Sequence, residues 1–389
     1  MKFVPFDKVN AEDWDKIVHA SDDGWAFSLS HWLKMVTPIW KMEHLSFAIE
    51  ENGKLVALMP LHRIVAEKRL SSSGWGHGGP VIAAGVSAVD RSRLWRACFS
   101  NVEKIAAQTA SDRITLMISP LTDSSLNNRW GVNPLLEIGF DDVSTHTRIV
   151  NLSQLESELW FGLAKDARQK IKKAQVGGYS FLRSSWEEMV DAYYRVHSEN
   201  YQRTGVTPLP KAYFDGIAAK PETHAVLWVG FSPGGEPVAF HNDARFGSKA
   251  LYHTGCSETD HLKSGINYLL FWEAMLGAKA DGCAWYETGE TFPLAKVGKE
   301  KGLTDFKKKF GGEIHRFFKG ELFLNKSQIE SPTLLVPSGG SDLEIKLKKE
   351  TFRNWMKANS GLSAVIFGKR FTNSIQKIYF KIKGVFRKA

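Results

Sequence analysis

Two stretches of this sequence follow the same order of predicted elements: a β-hairpin, a glycine-bearing loop, a helix and a strand. The hairpins are predicted at residues 47–65 and 225–246, each around an Asn-Gly or glycine-rich turn. Helices at residues 91–108 and 266–280 follow them, with strands at 113–119 and 283–289. The repetition predicts an α/β fold with two tandem units, each a mixed sheet with flanking helices. The alternative is a coincidence between two common supersecondary motifs.

Two helices are predicted between these units. Ser153 and Glu156 form a capping-box pattern, and apolar residues at helical spacing continue from there to Gly177. A second capping box, Ser185 with Glu188, predicts a helix through Tyr201 that stops near Gly205. The basic residues in the last turns of the first helix suit the helix dipole.

Length and composition indicate a globular chain of more than one domain. The 389 residues include 43% hydrophobic and 24% charged residues, which excludes a disordered protein and suggests two domains and an additional segment. The three cysteines lack C-x-x-C spacing, so no zinc site, disulfide framework or other metal site is predicted. The sequence shows neither a signal peptide nor an apolar run of 18 residues, and we therefore predict a cytoplasmic location.

The net charge of +9 is concentrated at the C-terminus. Residues 342–389 contain 12 Lys or Arg against three Asp or Glu, so the other residues carry no net charge. This distribution argues against DNA or general RNA binding and directs attention to the basic segment. Residues 331–341 lie before it and, being rich in Pro, Gly and Ser, are predicted to be a linker.

The basic segment contains an amphipathic pattern at residues 371–386. On a helix, its aromatic and aliphatic residues share one face and its lysines lie off that face. Such a helix is typical of peripheral binding to an anionic membrane surface, here the inner face of the plasma membrane. The alternative is a helix that packs its apolar face on the protein itself.

The segment GLTDFKKKFGG, residues 302–312, predicts a basic aromatic turn. It holds Lys307 between Phe306 and Phe310, where the lysine could stabilise an oxyanion during acyl transfer to an amine. Tyr252, on a predicted strand, is a candidate proton donor or orienting group. The alternatives are a solvated lysine run and an ordinary strand aromatic. His253 is predicted to face away from Tyr252.

Several segments, in this order, resemble the successive landmarks of FemAB-like transferases of the GNAT (acyl-CoA N-acyltransferase) fold superfamily. They are ARQKIKKAQVGGY, HSENYQRTG, EPVAF, ALYHTGCS, GINYLLFWEAM and LTDFKKKFGG. The resemblance implies an N-terminal GNAT-like domain at residues 1–150 and a C-terminal one at 151–330, followed by the linker and a basic amphipathic helical tail at 342–389.

The same resemblance implies site residues. Lys307 would support the transferred carbonyl, and Tyr252 would lie in the same cleft. Substrate contacts are expected from a further set of polar, glycine and aromatic residues: Arg168, Lys172, Tyr201, His241, Lys263, Gly265, Phe306 and Phe310. His241 and Asp243 also form an H-x-D pair on one face of a predicted strand.

No bound cofactor is expected, and the resemblance implies acyl-CoA or aminoacyl-tRNA as co-substrate. CoA-using GNAT proteins carry a cation or amide and a small residue where this chain has Leu262 and Asn267. Asn267 would crowd a pyrophosphate at the helix N-terminus, and Lys263 is the cation available there to compensate. The uncharged body argues against tRNA, while the basic helix near Arg168 offers a local tRNA surface. The donor stays open at this point.

The predicted function is transfer of an acyl or aminoacyl group to an amine of a cell-envelope precursor. The precursor would be a peptidoglycan stem peptide or an amino sugar of a surface polysaccharide, either free or lipid-linked. The alternative is a non-catalytic envelope or polysaccharide assembly factor that keeps the GNAT fold and binds a lipid-linked sugar.

Overall fold

The computed structural model describes residues 1–72, 78–128, 131–220 and 224–324. The predicted linker and amphipathic tail lie outside the described residues. Met1–Leu324 form one compact unit. The predicted domain boundary at residue 150 stays a prediction.

The first half of the described chain contains nine strands and four helices. Its strands are β1 (Lys2–Pro5), β2 (Glu43–His44), β3 (Phe47–Glu51), β4 (Lys54–Met59), β5 (His62–Ile64), β6 (Arg69–Ser71), β7 (Val81–Ile82), β8 (Arg113–Met117) and β9 (Asp141–Asp142). Its helices are α1 (Ala11–Ala20), α2 (Ser30–Ile39), α3 (Ala88–Gln108) and α4 (Asp123–Asn127).

The second half adds eight strands and six helices. Its strands are β10 (Thr145–Asn151), β11 (Ser180–Ser184), β12 (Ala225–Phe231), β13 (Pro237–Phe246), β14 (Lys249–Ser257), β15 (Trp285–Thr291), β16 (Glu313–Phe317) and β17 (Lys319–Phe323). Its helices are α5 (Glu156–Gly162), α6 (Lys165–Val176), α7 (Trp186–Arg203), α8 (Lys211–Ala218), α9 (Ile266–Ala280) and α10 (Gly298–Lys307).

The described strands form three sheets, one of which combines strands from both halves. The orders are β1-β3-β4-β7, β2-β5-β6-β8-β17-β9 and β11-β12-β13-β14-β15-β10-β16. Strand β17, late in the sequence, pairs antiparallel with β8 of the first half. The halves are therefore joined through backbone hydrogen bonds as well as through packing.

The predicted tandem arrangement is confirmed at the level of a mixed α/β fold. In each half a parallel strand pair encloses a long helix in sequence: β6 and β8 enclose α3, and β14 and β15 enclose α9. Parallel neighbours require such a crossover connection, which explains why both predicted units place a helix before their last strand.

The predicted helix from Ser153 is wrong in its start and in its continuity. The backbone N–H of Ser153 donates to the Asn151 side chain, and the Glu158 carboxylate caps the N–H of Leu155 instead. The helix then breaks into α5 and α6 at Leu163 and Ala164. The second capping box is confirmed, since Ser185 Oγ accepts from the Glu188 N–H at 3.2 Å.

The predicted basic turn is also wrong in its conformation. Residues 302–307 belong to α10, a single 3₁₀ turn carries residues 308–310, and Gly311 and Gly312 end the helix with φ of +81° and +76°. The three lysines consequently point in different directions, as on any helix. Within the part of the chain that is described, no helix has the length and apolar character needed to span a bilayer.

Helix α6 packs closely over the N-terminus of α9. Gly265, the N-cap of α9, has a φ of +97°, and a Cβ placed on it would lie 2.2 Å from the backbone oxygen of Lys170. Lys173 Nζ donates to the backbone oxygen of Lys263 at 2.8 Å. The absence of a side chain at position 265 therefore lets α6 and α9 approach each other.

We expect Gly265→Ala to lower the free energy of unfolding by about 2 kcal/mol or more, because it adds both a left-handed alanine and a backbone collision. Chemical denaturation of the purified variant measures this change. Gly302→Ala is the matched control, since its Cβ would meet no atom within 4 Å in the interior of α10. That control should leave stability unchanged or raise it by about 0.5–1 kcal/mol. An equal response of both variants would contradict the packing argument.

Candidate active site

The site begins where two parallel strands separate. Strands β14 and β15 pair only from Lys249 to Leu251 on one side and from Trp285 to Glu287 on the other. Both strands continue beyond these pairs, so their later residues border a gap instead of each other. A register shift in the β13–β14 pairing at Asn242–Asp243 bends the sheet at the same level.

A cleft of about 430 Å³ opens along this gap. Its walls come from β14, the end of α7, the start of α9 and one side of α10. The lining includes Tyr201, His241, Tyr252, Asn267, Phe271, Lys299, Leu303, Phe306 and Lys307.

Lys307 fills the inner end of the gap. It is 9% exposed, and its Nζ donates to the backbone oxygen of Glu290 at 2.8 Å. Gly289 has a φ of +86°, and a Cβ there would lie 2.7 Å from Nζ. The glycine thus leaves the space that the lysine head occupies, and α10 supplies the lysine from its last turn.

The charge of Lys307 is balanced by its surroundings. Burial lowers the pKa of Lys307 to about 8, while the nearby carboxylates of Glu287 and Glu290 act in the opposite direction. Burial also raises the pKa of Glu287 to about 7, although the hydroxyl of Thr147, which donates to it at 2.7 Å, favours the charged form. At neutral pH the lysine is a weakly hydrated cation, which stabilises a developing negative charge more than a solvated one does.

Tyr252 lies beside Lys307 on the α9 side of the cleft. Its ring contacts those of His241 and Phe271, with centroids 4.6 and 4.9 Å away. Burial raises the pKa of Tyr252, so its phenol stays protonated and can donate a hydrogen bond into the cleft. His253 contacts Phe27 at 5.0 Å, in the first half of the chain, whereas Tyr252 contacts Phe271 of α9, and both residues border the cleft.

His241 is held by two buried groups. Its Nε2 lies 2.9 Å from Asp243 Oδ1 and 2.8 Å from the hydroxyl of Tyr286, which itself donates to the same Asp243 oxygen at 2.5 Å. His241 is 3% exposed, while Asp243 and Tyr286 are fully buried. The arrangement fixes the ring in one orientation at the cleft wall.

The structure brings five of the predicted site residues to the cleft: Lys307, Tyr252, Tyr201, His241 and Phe306. Phe310 lies behind the wall and stacks on Phe271 at a centroid distance of 3.8 Å. It therefore supports the cleft without lining it.

Three predicted cationic contacts are not brought to this cleft. Arg168 donates to the backbone oxygens of Trp160, Phe161 and Leu163, which are carbonyls at the end of α5. Lys172 and Lys263 are exposed and are not among the cleft-lining residues. For Arg168 the reason is local, because a helix that ends early leaves carbonyls that require donors. Their expected substrate contacts stay predictions.

Gly265 is at the N-terminus of α9, but one backbone N–H of that terminus is already hydrogen-bonded and the glycine itself is covered by another helix. Ser264 Oγ accepts from the Ile266 N–H at 3.1 Å, and α6 covers the glycine. Asn267 lines the cleft while its side-chain amide donates to Ser257 Oγ at 2.8 Å. Little of the helix terminus is left for a pyrophosphate.

Sequence reasoning missed Glu287 and Gly289 as site residues. The strand sequence WYETGET does carry a signal, because an acidic residue and a glycine interrupt a strand that follows an apolar helix. Their role nevertheless depends on Lys307, which lies on a different element, 18 or more positions later in the sequence. Among the described residues no group of three or more His, Cys, Asp or Glu could hold a metal ion.

The fold and one family description relate this chain to known proteins. Residues 163–308 match the acetyltransferase (GNAT) domain family. The structure of FemX superposes with a TM-score of 0.65 at 15% sequence identity, covering 84% of this chain and 98% of FemX. The structure of L-PGS from Bacillus licheniformis superposes with a TM-score of 0.53 at 17% identity, covering 80% of this chain and 91% of L-PGS.

A search of curated protein sequences gives no significant match. At these identities the structural similarities establish the fold, and the family match falls on the half of the chain that holds the cleft. The chain therefore shares the fold of FemX, and its residues 163–308, where the cleft lies, match the acetyltransferase (GNAT) domain family.

Proposed function

We propose that this protein transfers an acyl or aminoacyl group to an amine, with Lys307 stabilising the oxyanion of the tetrahedral intermediate. The observation that carries the proposal is the buried ammonium of Lys307 between two separated strands, at the inner end of an open cleft. Burying an ammonium group costs free energy of folding even where carboxylates and a hydrogen bond offset part of it, and buried groups with a shifted pKa in a cleft are often functional.

The chemistry requires few groups. Binding in the cleft would place the amine nitrogen against the donor carbonyl carbon, and Lys307 would attract the oxygen as it gains charge. The phenol of Tyr252 would donate a hydrogen bond to the same oxygen or to the leaving group. No covalent enzyme intermediate is needed.

For the donor, we favour an aminoacyl ester such as aminoacyl-tRNA over acyl-CoA. Support comes from α6, which covers the N-terminus of α9 at Gly265, and from the side chain of Asn267 at the same place. A CoA pyrophosphate bound at a helix terminus would compete with both. The basic residues of α6, among them Lys172, would then provide a surface for the nucleic acid.

For the acceptor, we propose an amine of a cell-envelope precursor, either a peptidoglycan stem peptide or an amino sugar of a surface polysaccharide. Its support is the resemblance to FemAB-like transferases and the shared fold with FemX. We place the reaction in the cytoplasm because acyl-CoA and charged tRNA are made there. Attachment to the inner membrane face stays a prediction for residues 342–389, outside the described residues.

The proposal is tested by incubating the full chain with radiolabelled acetyl-CoA or with a pool of radiolabelled aminoacyl-tRNAs. A lysine-containing stem pentapeptide and a free amino sugar serve as acceptors, and mass spectrometry identifies the products. We expect an amide product with charged tRNA. If none of these combinations yields a product, the transferase proposal fails and the non-catalytic alternative replaces it.

We expect Lys307→Met to lower kcat by about 10²–10³-fold with little change in KM, because the lysine charge acts on the transition state. Initial rates over a range of acceptor concentrations separate the two constants. Lys308→Met is the matched control: this neighbouring lysine is exposed and pairs with Asp305 at 3.6 Å. The role of Lys307 is wrong if kcat is unchanged, or if both variants lose activity equally.

The rate should also fall on the alkaline side, above about pH 8, as Lys307 loses its proton. Glu287→Gln removes a charge that raises the pKa of Lys307, so the falling limb should move to lower pH. A pH–rate profile of kcat measures the shift. Glu321→Gln, on β17 and paired with Arg113, is the control and should leave the limb in place. A limb that does not move in Glu287→Gln would show that these two groups are not coupled.

A further inference from the structure

The hydrogen-bond partners of His241, at the cleft wall, determine which of its ring nitrogens carries the proton. A carboxylate only accepts hydrogen bonds, and the Tyr286 hydroxyl donates its hydrogen bond to Oδ1 of Asp243. The two atoms beside His241 Nε2 are therefore both acceptors towards it, which places the ring proton on Nε2. Nδ1 is then unprotonated.

Nδ1 is also the ring nitrogen left for a ligand. None of the described residues hydrogen-bonds it, while His241 lines the cleft together with Tyr252 and Lys307. The flanking rings of Tyr252 and Phe271 hold the imidazole from two other elements. A nitrogen with a free lone pair thus belongs to a residue in the wall of the cleft, where acceptor and donor would meet.

Within the described part of the chain, the carboxylate bonded to the histidine has no close cation of its own. The nearest cation to Asp243 is Arg245, whose Nη2 is 3.6 Å from Oδ2 and whose Nη1 is bonded to Asp281. Among the described residues Asp243 Oδ2 has no hydrogen-bond partner. Nε2 of His241, 2.9 Å from Asp243 Oδ1, is therefore the nearest side-chain nitrogen to this carboxylate among these residues, and Lys307 lines the same cleft as the histidine.

We propose that His241 is the general base of the transfer reaction, with Asp243 and Tyr286 as the positioning residues that hold its tautomer. This inference rests on the proposed function. The acceptor nitrogen forms a bond to the donor carbonyl carbon, and its N–H proton passes to Nδ1. The bond from that carbon to the leaving oxygen then breaks, and the imidazolium returns the proton to this oxygen, so that amide and alcohol are formed and His241 is neutral again.

The first test does not depend on any substrate. Long-range ¹H–¹⁵N NMR of the ¹⁵N-histidine-labelled protein at pH 7.5 reports which ring nitrogen carries the proton, and the spectrum of His241→Gln assigns the signal. We expect Nε2 protonated and Nδ1 free, and we expect Asp243→Asn to change this state. A proton on Nδ1, or an imidazolium, in the wild type would overturn the proposal.

The second test is kinetic and uses the donor and acceptor pair that yields product with the wild type. We expect His241→Gln to lower kcat by about 10²–10⁴-fold with a small change in KM. Asp243→Asn should lower kcat in parallel with the change of tautomer that NMR reports, which a purely structural loss would not do. His19→Gln, an exposed residue on α1, is the control. Retention of kcat within about twofold in His241→Gln would overturn the base role.

The two tests separate this inference from the proposed function. If the wild type transfers no group, the proposed function fails and the base role fails with it, whatever tautomer NMR reports. If transfer occurs and Lys307→Met abolishes it while His241→Gln does not, only the base role is wrong. If His241→Gln does not fold, Asp243→Asn and the wild-type tautomer still decide the outcome.

Discussion

The separation of β14 from β15 is the constraint on which the rest of the site depends. Two parallel strands that pair at three positions and then diverge leave backbone groups and a volume that another element must fill. Lys307 of α10 fills this volume, and its ammonium donates a hydrogen bond to the backbone carbonyl of Glu290. The side chain that fills the gap between the strands is therefore also the proposed catalytic group.

Several residues around Lys307 accommodate or stabilise its buried positive charge. Gly289 provides the space, and Glu287 provides a counter-charge whose own pKa burial raises towards neutrality. The attraction between these two charges offsets part of the free-energy cost of burying each of them. Lys307 therefore stays largely protonated near neutral pH, as the proposed acyl transfer requires. The aromatic rings of Phe271, Phe306 and Phe310 exclude water from one side, which preserves the strength of that charge.

The sequence predicted the order of elements well because local patterns control them. The hairpin around Asn52–Gly53 and the helix Ile266–Ala280 both lie where turn chemistry and apolar runs place them. The failures occurred where a distant contact overrides a local pattern. Residues 302–310 look like a turn, yet they complete a helix that packs on the sheet, and the helix predicted from Ser153 breaks before α6, which covers Gly265.

For the site, the sequence by itself determined the residue types: a lysine between two phenylalanines, a tyrosine on a strand and an H-x-D pair. Only the tertiary structure decided which of them share one cleft, because Lys307, Tyr252 and His241 come from three elements separated by up to 66 positions in sequence. It also decided that Arg168 serves the end of α5 and that Glu287 stands beside Lys307. Proximity and burial, which set the charge of each group, arise from strand separation and helix packing and leave no periodic signal in the sequence.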